Sequence, residues 1–410
     1  MLEVVAPEAQ GTEGDVDASR AAPVNTTARI HDVDVLRGAA LFGVLMMNLV
    51  DGFRVPYPLR FPLPPDPSWV NRAAQNVLAV LLQGKAMTMF SLLFGAGMCI
   101  FYERAEARGA APVPLLARRL LVLLAFGLAH MFLLWNGDVL TSYAVSGLIA
   151  LFLIRRRPAL LLGLAVALLG GRALILWLWP TILPPSGGAS AQHYRDALLI
   201  YGSGSYLDVV KFRAAEIWYF EFRFSFLEVP TEVSNFLIGA WIWRSGVLRH
   251  VERYRRPLLW VALIGIGVGA GYAIFRLTPS GVALLPEHPG EVARASSSAI
   301  LRMFTLGYGA FFLLLLHRPG VRAALLRIAP LGQMAFTNYL SHSFLFSTLF
   351  YGYGFGLLTK LGTASATVLG VAVYIGQGIL STYWLRWFRF GPFEWAWRSL
   401  TYGKLQPMRR

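Results

Sequence analysis

The sequence predicts an all-α fold, a polytopic helical bundle inside a membrane, and three observations carry that expectation. Hydrophobic residues make up 56% of the 410 and charged residues only 14%, against about 25% charged in soluble domains. Apolar windows recur that approach the roughly 20 residues needed to cross about 30 Å of hydrocarbon. Between them the basic residues gather in short clusters, the pattern by which membrane proteins mark their cytoplasmic side.

The opening residues 1–28 are polar, Ala-rich and acidic, a composition that reads as a disordered cytoplasmic tail. The first apolar segment starts late and has no small-residue cleavage site after it, so no cleavable signal peptide is expected. Residues 29–400 read as a single transmembrane domain, and 401–410 as a basic cytoplasmic tail. Within the domain the windows fall near 36–53, 86–103, 116–134, 139–154, 159–180, 233–248, 257–275, 299–316, 331–350 and 365–385, about ten transmembrane helices. Arg104, Arg108, Arg118 and Arg119 flank one turn, Arg155, Arg156 and Arg157 fill the next even one, and similar clusters follow near 244–256, 318–327 and 386–410. With Arg20, Arg29 and Arg37 this puts 24 of the 37 Lys and Arg on one side. Both termini are then expected to be cytoplasmic in a bacterial inner membrane.

The other side receives the longer, periplasmic segments 54–85, 181–232 and 276–298. Six prolines between Pro56 and Pro67 exclude regular helix there. Arg213–Glu228 mixes aromatics with Glu216, Glu221 and Arg223, which suggests an interfacial helix. Cys99 is the one cysteine, so no intramolecular disulfide can form. The formal charge of +15 is spread in clusters between apolar runs, which argues against nucleic-acid binding. The partners expected are membrane lipid and small molecules, and no internal repeat is evident.

Ionisable groups at membrane depth are costly and by default mark functional sites. Four constellations stand out. Asp34 and Arg37 lie three apart on one helical face, with Asn48 roughly 16 Å further along. His130, Trp135, Gly137, Asp138 and Tyr143 straddle a tight turn, where His130 and Asp138 could meet and form an oriented general base. Lys85 precedes Phe90-Ser91-Leu92-Leu93-Phe94-Gly95-Ala96-Gly97, whose small residues allow close helix packing. Asn338 and His342 share one face of a later helix, beside Tyr339. Each has a plainer alternative: an anchor pair and an interhelical amide, a buried His with Asp138 as helix cap, a snorkelling lysine, and interhelical hydrogen bonds. Ser91 and Ser343 are lone serines without a nucleophile elbow, and no nucleotide-binding loop or zinc-spaced set appears.

Together these stretches resemble the YeiB-like family, domain of unknown function 418. The resemblance rests on Asp34-x2-Arg37-Gly38 with Asn48, on Lys85 with Phe90–Gly95, and on His130 with Trp135-x-Gly137-Asp138-x-Leu140-x2-Tyr143-Ala144. It also rests on Gly332-x-Met334-Ala335-x-Thr337-Asn338-Tyr339 and Gly391-Pro392-x-Glu394-x2-Trp397-Arg398. The family pattern carries Gln where this chain has His342, which argues against His342 as an indispensable group. The opening motif also resembles membrane acyltransferases of the heparan-glucosaminide acetyltransferase type and of the acyltransferase-3 type. That likeness implies an enzyme moving an acyl group from a cytoplasmic thioester, acyl-coenzyme A, to an outward-facing hydroxyl or amine, with no metal. In that reading His130 is the base, Asp138 its orienter and Asn48 a hydrogen-bond donor to the carbonyl oxygen. Asp34, Arg37, Lys85, Tyr143, Asn338 and Tyr339 would bind donor or substrate. The alternatives are a transporter of a small or amphipathic solute using the same residues, and a scaffold in which they only join helices.

Overall fold

The computed structural model describes residues 31–55, 68–182, 191–218, 222–278 and 291–410. The expectations for the opening tail and for the proline-rich stretch 56–67 fall outside the described residues. Among the described residues the secondary structure is helical, apart from an isolated bridge between Phe388 and Arg409. The helices are α1 (His31–Asn48, continued by a π turn Leu49–Phe53), α2 (Trp69–Leu81), α3 (Lys85–Glu106), α4 (Pro112–Leu133), α5 (Leu140–Leu151) and α6 (Pro158–Ile182). They are followed by α7 (Ala191–Ser203), α8 (Tyr206–Glu216), α9 (Phe222–Arg244), α10 (Arg255–Leu277) and α11 (Glu291–Leu316). The C-terminal part holds α12 (Pro319–Leu325), α13 (Ala329–Gln333), α14 (Ala335–Phe350), α15 (Thr363–Trp387) and α16 (Pro392–Tyr402).

Among the described residues seven helical stretches are long and apolar enough to cross a membrane: 31–53, 69–106, 112–133, 158–175, 255–275, 299–316 and 363–387. The other three expected spans correspond to α5, α9 and α14, which depart from that standard for physical reasons. Helix α5 has 12 residues, about 18 Å at 1.5 Å per residue. Helix α14 has 16 and is extended by the short α13 in front of it. Helix α9 is long enough but carries Glu228, Glu232 and Pro230. The stretch 213–228 falls in part outside the described residues; Arg213 and Glu216 lie at the end of α8 and are 0% and 1% exposed, and α9 begins at Phe222.

Helix α1 is the axis of the bundle. Its apolar window is 72% buried, against 11% for that of α6, so one is ringed by protein and the other faces outward. Helices α3, α13, α14 and α15 pack on α1, α9 on α3 and α6, and α10 pairs with α11. The outward faces are apolar, as on α10 with Leu259, Trp260, Leu263 and Ile264 and on α15 with Val368, Ile375 and Ile379. Among lipid tails these need no partner.

Candidate functional site

A cavity of about 180 Å³ opens between α1, α3, α4, α5, α13, α14 and α16. Its lining follows helical stripes. On α1 these are Arg37, Leu41 and Val44; on α4 Leu116, Arg119, Leu120 and Leu123; on α14 Phe336 and Tyr339; on α5 Leu140 and Tyr143. One end is charged, with Arg37, Arg119, Arg398 and Glu394, and the rest is aromatic and aliphatic.

The carboxylate at that end is already committed. Glu394 accepts hydrogen bonds from the amides of Phe336 (2.7 Å) and Thr337 (3.0 Å) and from Thr337 Oγ1 (2.5 Å). It therefore caps α14, where the helix dipole favours a negative group. Burial pushes the Glu394 carboxyl above its ordinary range, while the hydrogen bonds from Thr337 and Phe336 pull it back. Arg37, Arg119 and Arg398 line the same end. Arg119 lies 3.6 Å from the Trp397 ring centre and 5.0 Å from that of Phe101, so aromatic faces fix its plane. Arg37 sits 3.7 Å from Asp34 and is 31% exposed at its side chain.

Beyond the inner end the same stripes continue as polar residues. One turn past Val44 is Asn48, and one turn past Tyr339 is Ser343. On α4 the stripe that holds Arg119 and Leu123 reaches His130, eleven residues or about 16 Å from Arg119. The turn that follows places Asp138 against it. Trp135 is buried, stacked on Phe53 at 4.5 Å, and its ring fills the space where Gly137 and Gly52 lack side chains. Any larger residue at Gly137 would strike that indole, so glycine lets the chain turn back tightly into α5.

His130 Nδ1 lies 2.8 Å from Asp138 Oδ1, and His130 Nε2 lies 2.7 Å from Ser343 Oγ. Asp138 Oδ2 accepts the Thr141 amide at 2.7 Å, so the carboxylate both caps the first turn of α5 and holds the imidazole. The side chains of His130 and Asp138 are 1% and 0% exposed, and Ser343 is 0% exposed. Tyr339 stands between this line and the cavity: its ring is 5.2 Å from that of His130, and its hydroxyl accepts the Val139 amide at 3.3 Å.

The other expected residues divide. Tyr143 lines the cavity and shares a 2.7 Å hydrogen bond with Ser91. Asn48 is half-buried where α1 passes into its π turn; neither it nor His130, Asp138 or Ser343 is among the residues lining the cavity. Lys85 is buried at the α2–α3 turn and donates to the carbonyls of Ala79 (3.0 Å) and Gln83 (3.2 Å), away from the cavity. Asn338 faces α15, donating to Ser381 Oγ at 3.1 Å, and His342 lies 2.6 Å from Gln377 on the same helix. These two join helices.

Sequence reasoning passed over Ser343, because it lacks an elbow, and Arg119 and Arg398, because they read as topological charge. It also passed over Glu232, whose carboxylate accepts from Ser142 (2.8 Å) and Ser146 (2.9 Å) on α5. A glutamate at the edge of the apolar window 233–248 was the available signal. At the opposite end from the arginines, α7 and α8 form a cap held by Glu216, which accepts from Asn136 Nδ2 (3.2 Å), Tyr201 and His193 (3.1 Å). Burial raises the Glu216 carboxyl, and the Glu216 hydrogen bond raises His193.

Residues 242–404 match a family described as "Protein of unknown function (DUF418)". The chain is 35% identical over 412 residues to the uncharacterized protein YxaH of Bacillus subtilis (strain 168), covering 94% of this chain and 97% of that one. It is 30% identical over 399 residues to an uncharacterized 39.9 kDa protein in the amylase 3' region of Bacillus acidopullulyticus, covering 94% and 97%. To the uncharacterized protein YeiB of Escherichia coli (strain K12) it is 27% identical over 398 residues, covering 90% and 95%. No solved structure matches the chain.

Proposed function

The chain belongs to the YeiB-like DUF418 family of membrane proteins, and from that premise we propose that it is an acyltransferase of the bacterial inner membrane, moving an acyl group from acyl-coenzyme A to an outward-facing hydroxyl or amine. The observation that carries the reading is an arginine-mouthed cavity whose helical stripes lead to a buried, carboxylate-oriented imidazole. We place ten spans with both termini cytoplasmic, because 24 of the 37 basic residues then lie inside. Arg37, Arg119 and Arg398 face the cytoplasm, where they meet the phosphates of the carrier.

The volume supports a division of the donor. About 180 Å³ is well above the ~10–15 Å³ that a cavity needs to hold one water. That admits the thioester end and a short acyl chain, while the phosphate-rich part stays among the arginines. His130 removes the proton from the attacking group, Asp138 holds its tautomer and stabilises the imidazolium, and Asn48 donates to the carbonyl oxygen as charge develops there.

The test uses purified protein in nanodiscs. Acetyl-coenzyme A should bind, with affinity falling as salt rises, and should be consumed slowly by wild type but not by His130→Ala. Absence of both binding and turnover, tried also with butyryl- and hexanoyl-coenzyme A, refutes the reading. Reporter fusions at Arg157 and Arg256 should report cytoplasm and one at Pro185 the outside; an outside signal at Arg256 refutes the topology.

A further inference from the structure

Ser343 differs from several of the hydroxyls of these helices in where its proton goes. A serine or threonine inside an apolar helix commonly returns its proton to its own backbone four residues earlier. Ser91 does so to Met87, Thr305 to Leu301, Thr348 to Phe344 and Thr382 to Gly378, at 2.7–2.9 Å. Ser343 instead reaches across to α4, 2.7 Å from His130 Nε2.

The network fixes which atom donates. Asp138 as a carboxylate has only acceptors, and it faces His130 Nδ1 at 2.8 Å, so Nδ1 carries the imidazole proton. Nε2 then presents its lone pair, and the Ser343 hydroxyl donates to it. A hydroxyl whose proton is drawn toward a carboxylate-oriented imidazole is an activated nucleophile, recognised by geometry and not by chain order. Along its stripe Ser343 lies one turn from Tyr339, which lines the cavity, so a turn of the Tyr339 side chain would bring the cavity to Ser343.

Resting on the acyltransferase reading, we propose that Ser343 is the nucleophile of a two-step transfer and carries the acyl group as an ester between donor and acceptor. In the first step Ser343 Oγ bonds to the thioester carbonyl carbon as His130 Nε2 takes its proton. The carbon–sulfur bond breaks, and the departing thiolate takes that proton and leaves as free coenzyme A. In the second step the acceptor hydroxyl or amine loses its proton to His130 and attacks the ester carbonyl. The bond to Ser343 Oγ breaks and the proton returns to that oxygen, so the enzyme is restored. The relay gives the buried position a purpose: the carrier stays at the arginines, only the acyl group passes inward, and dry walls protect the ester from water.

Two independent readouts test this on the full chain in nanodiscs. A fluorophosphonate probe, which reports a nucleophilic serine whatever the natural donor, should label Ser343 in wild type, weakly in His130→Ala and not in Ser343→Ala. Incubation with acetyl-coenzyme A and no acceptor should add one acetyl group, mapped to Ser343 by peptide mass spectrometry and removed by hydroxylamine. Ser343→Cys should fold as wild type and form the thioester instead. Turnover should fall about 10²–10⁴-fold in Ser343→Ala, and the double variant with His130→Ala should be no worse than either single one, because the pair acts as a unit. Labelling of Ser343 without turnover of any acyl-coenzyme A would support the nucleophile and sink the acyltransferase reading. Turnover in wild type with no label, no adduct and full activity in Ser343→Ala would overturn the relay and leave acyl transfer standing.

Discussion

Gly38→Ala should destabilise the bundle at the crossing that carries Arg37. A Cβ at Gly38 would sit 2.6 Å from the Ile328 carbonyl oxygen and 3.4 Å from the Gly332 nitrogen. Both are backbone atoms, so no rotamer change relieves the clash. Ordinary contact begins near 3.4 Å, and α1 must therefore part from the segment ahead of α14 by about 0.8 Å, an overpacking that costs about 1–3 kcal/mol. The same shift would disturb the Tyr374 hydroxyl, which donates to the Gly38 carbonyl at 2.8 Å. Gly267→Ala in α10 is the control, because nothing lies within 4 Å of its Cβ position. There the better helix former should gain about 0.5–1 kcal/mol. Thermal unfolding of the two variants in detergent, followed by tryptophan fluorescence, should separate them, with Gly38→Ala below wild type and Gly267→Ala at or above it. Equal midpoints would refute the close approach of backbones on which the geometry of the mouth depends.

Arg119→Ala and Arg398→Ala should each weaken acetyl-coenzyme A binding and flatten its salt dependence, measured by calorimetry at two ionic strengths; unchanged affinity in both would remove the mouth from the donor site. His342→Gln should be almost silent in turnover and melting, since a Gln side chain can still meet Gln377, and a large loss of activity would contradict the helix-joining role. The His193–Glu216 contact should tighten the cap in a pH-dependent way. Its hydrogen bond raises His193 above 6.5, so the stabilisation is full below that pH and is lost as pH rises through the raised value. Hydrogen exchange over 191–216, taken as the ratio of His193→Gln to wild type, should shrink toward one between about pH 5.5 and about pH 8.5; a ratio that ignores pH would refute it.

The helical bundle was legible because a membrane admits few solutions: every backbone amide must be bonded internally, so apolar windows of span length become helices. The His130–Asp138 contact was legible too, because a short turn with Gly137 leaves the two residues little choice but to face each other. What length and composition could not convey was which polar residues share a space. Asn338 and Tyr339 are adjacent in sequence, yet one turns to Ser381 on α15 and the other lines the cavity. Lys85 and Arg37 are both basic residues near helix ends, yet one is absorbed by the carbonyls of Ala79 and Gln83 and the other opens onto the cavity. Those outcomes depend on the rotation of each helix about its axis, which neighbouring helices set. Ser343 is the sharpest case: its partner is 213 residues away, and no local motif encodes that distance.

Catalysis and mere helix joining make different quantitative demands on Asp138, and the difference can be measured. Interhelical hydrogen bonds in membranes average about 0.6 kcal/mol. If the Ser343–His130–Asp138 line is only structural, Asp138→Asn should lower the melting point slightly and reduce activity only as folded protein is lost. The Asn amide can still accept the Thr141 amide, so the turn into α5 survives either way. If Asp138 sets the tautomer, Asn presents an N–H to Nδ1, the imidazole proton moves to Nε2, and the lone pair facing Ser343 disappears. A positioned general base contributes about 10²–10⁴ in rate, or about 2.7–5.4 kcal/mol at 1.36 kcal/mol per decade. Asp138→Asn should therefore lose much of that factor with near-normal folding, though less than His130→Ala, which removes the base altogether. Comparing turnover per folded molecule, with folding measured by size-exclusion and melting, separates the two accounts. A loss of turnover that merely tracks the loss of folded protein in both variants would assign these side chains to holding helices together.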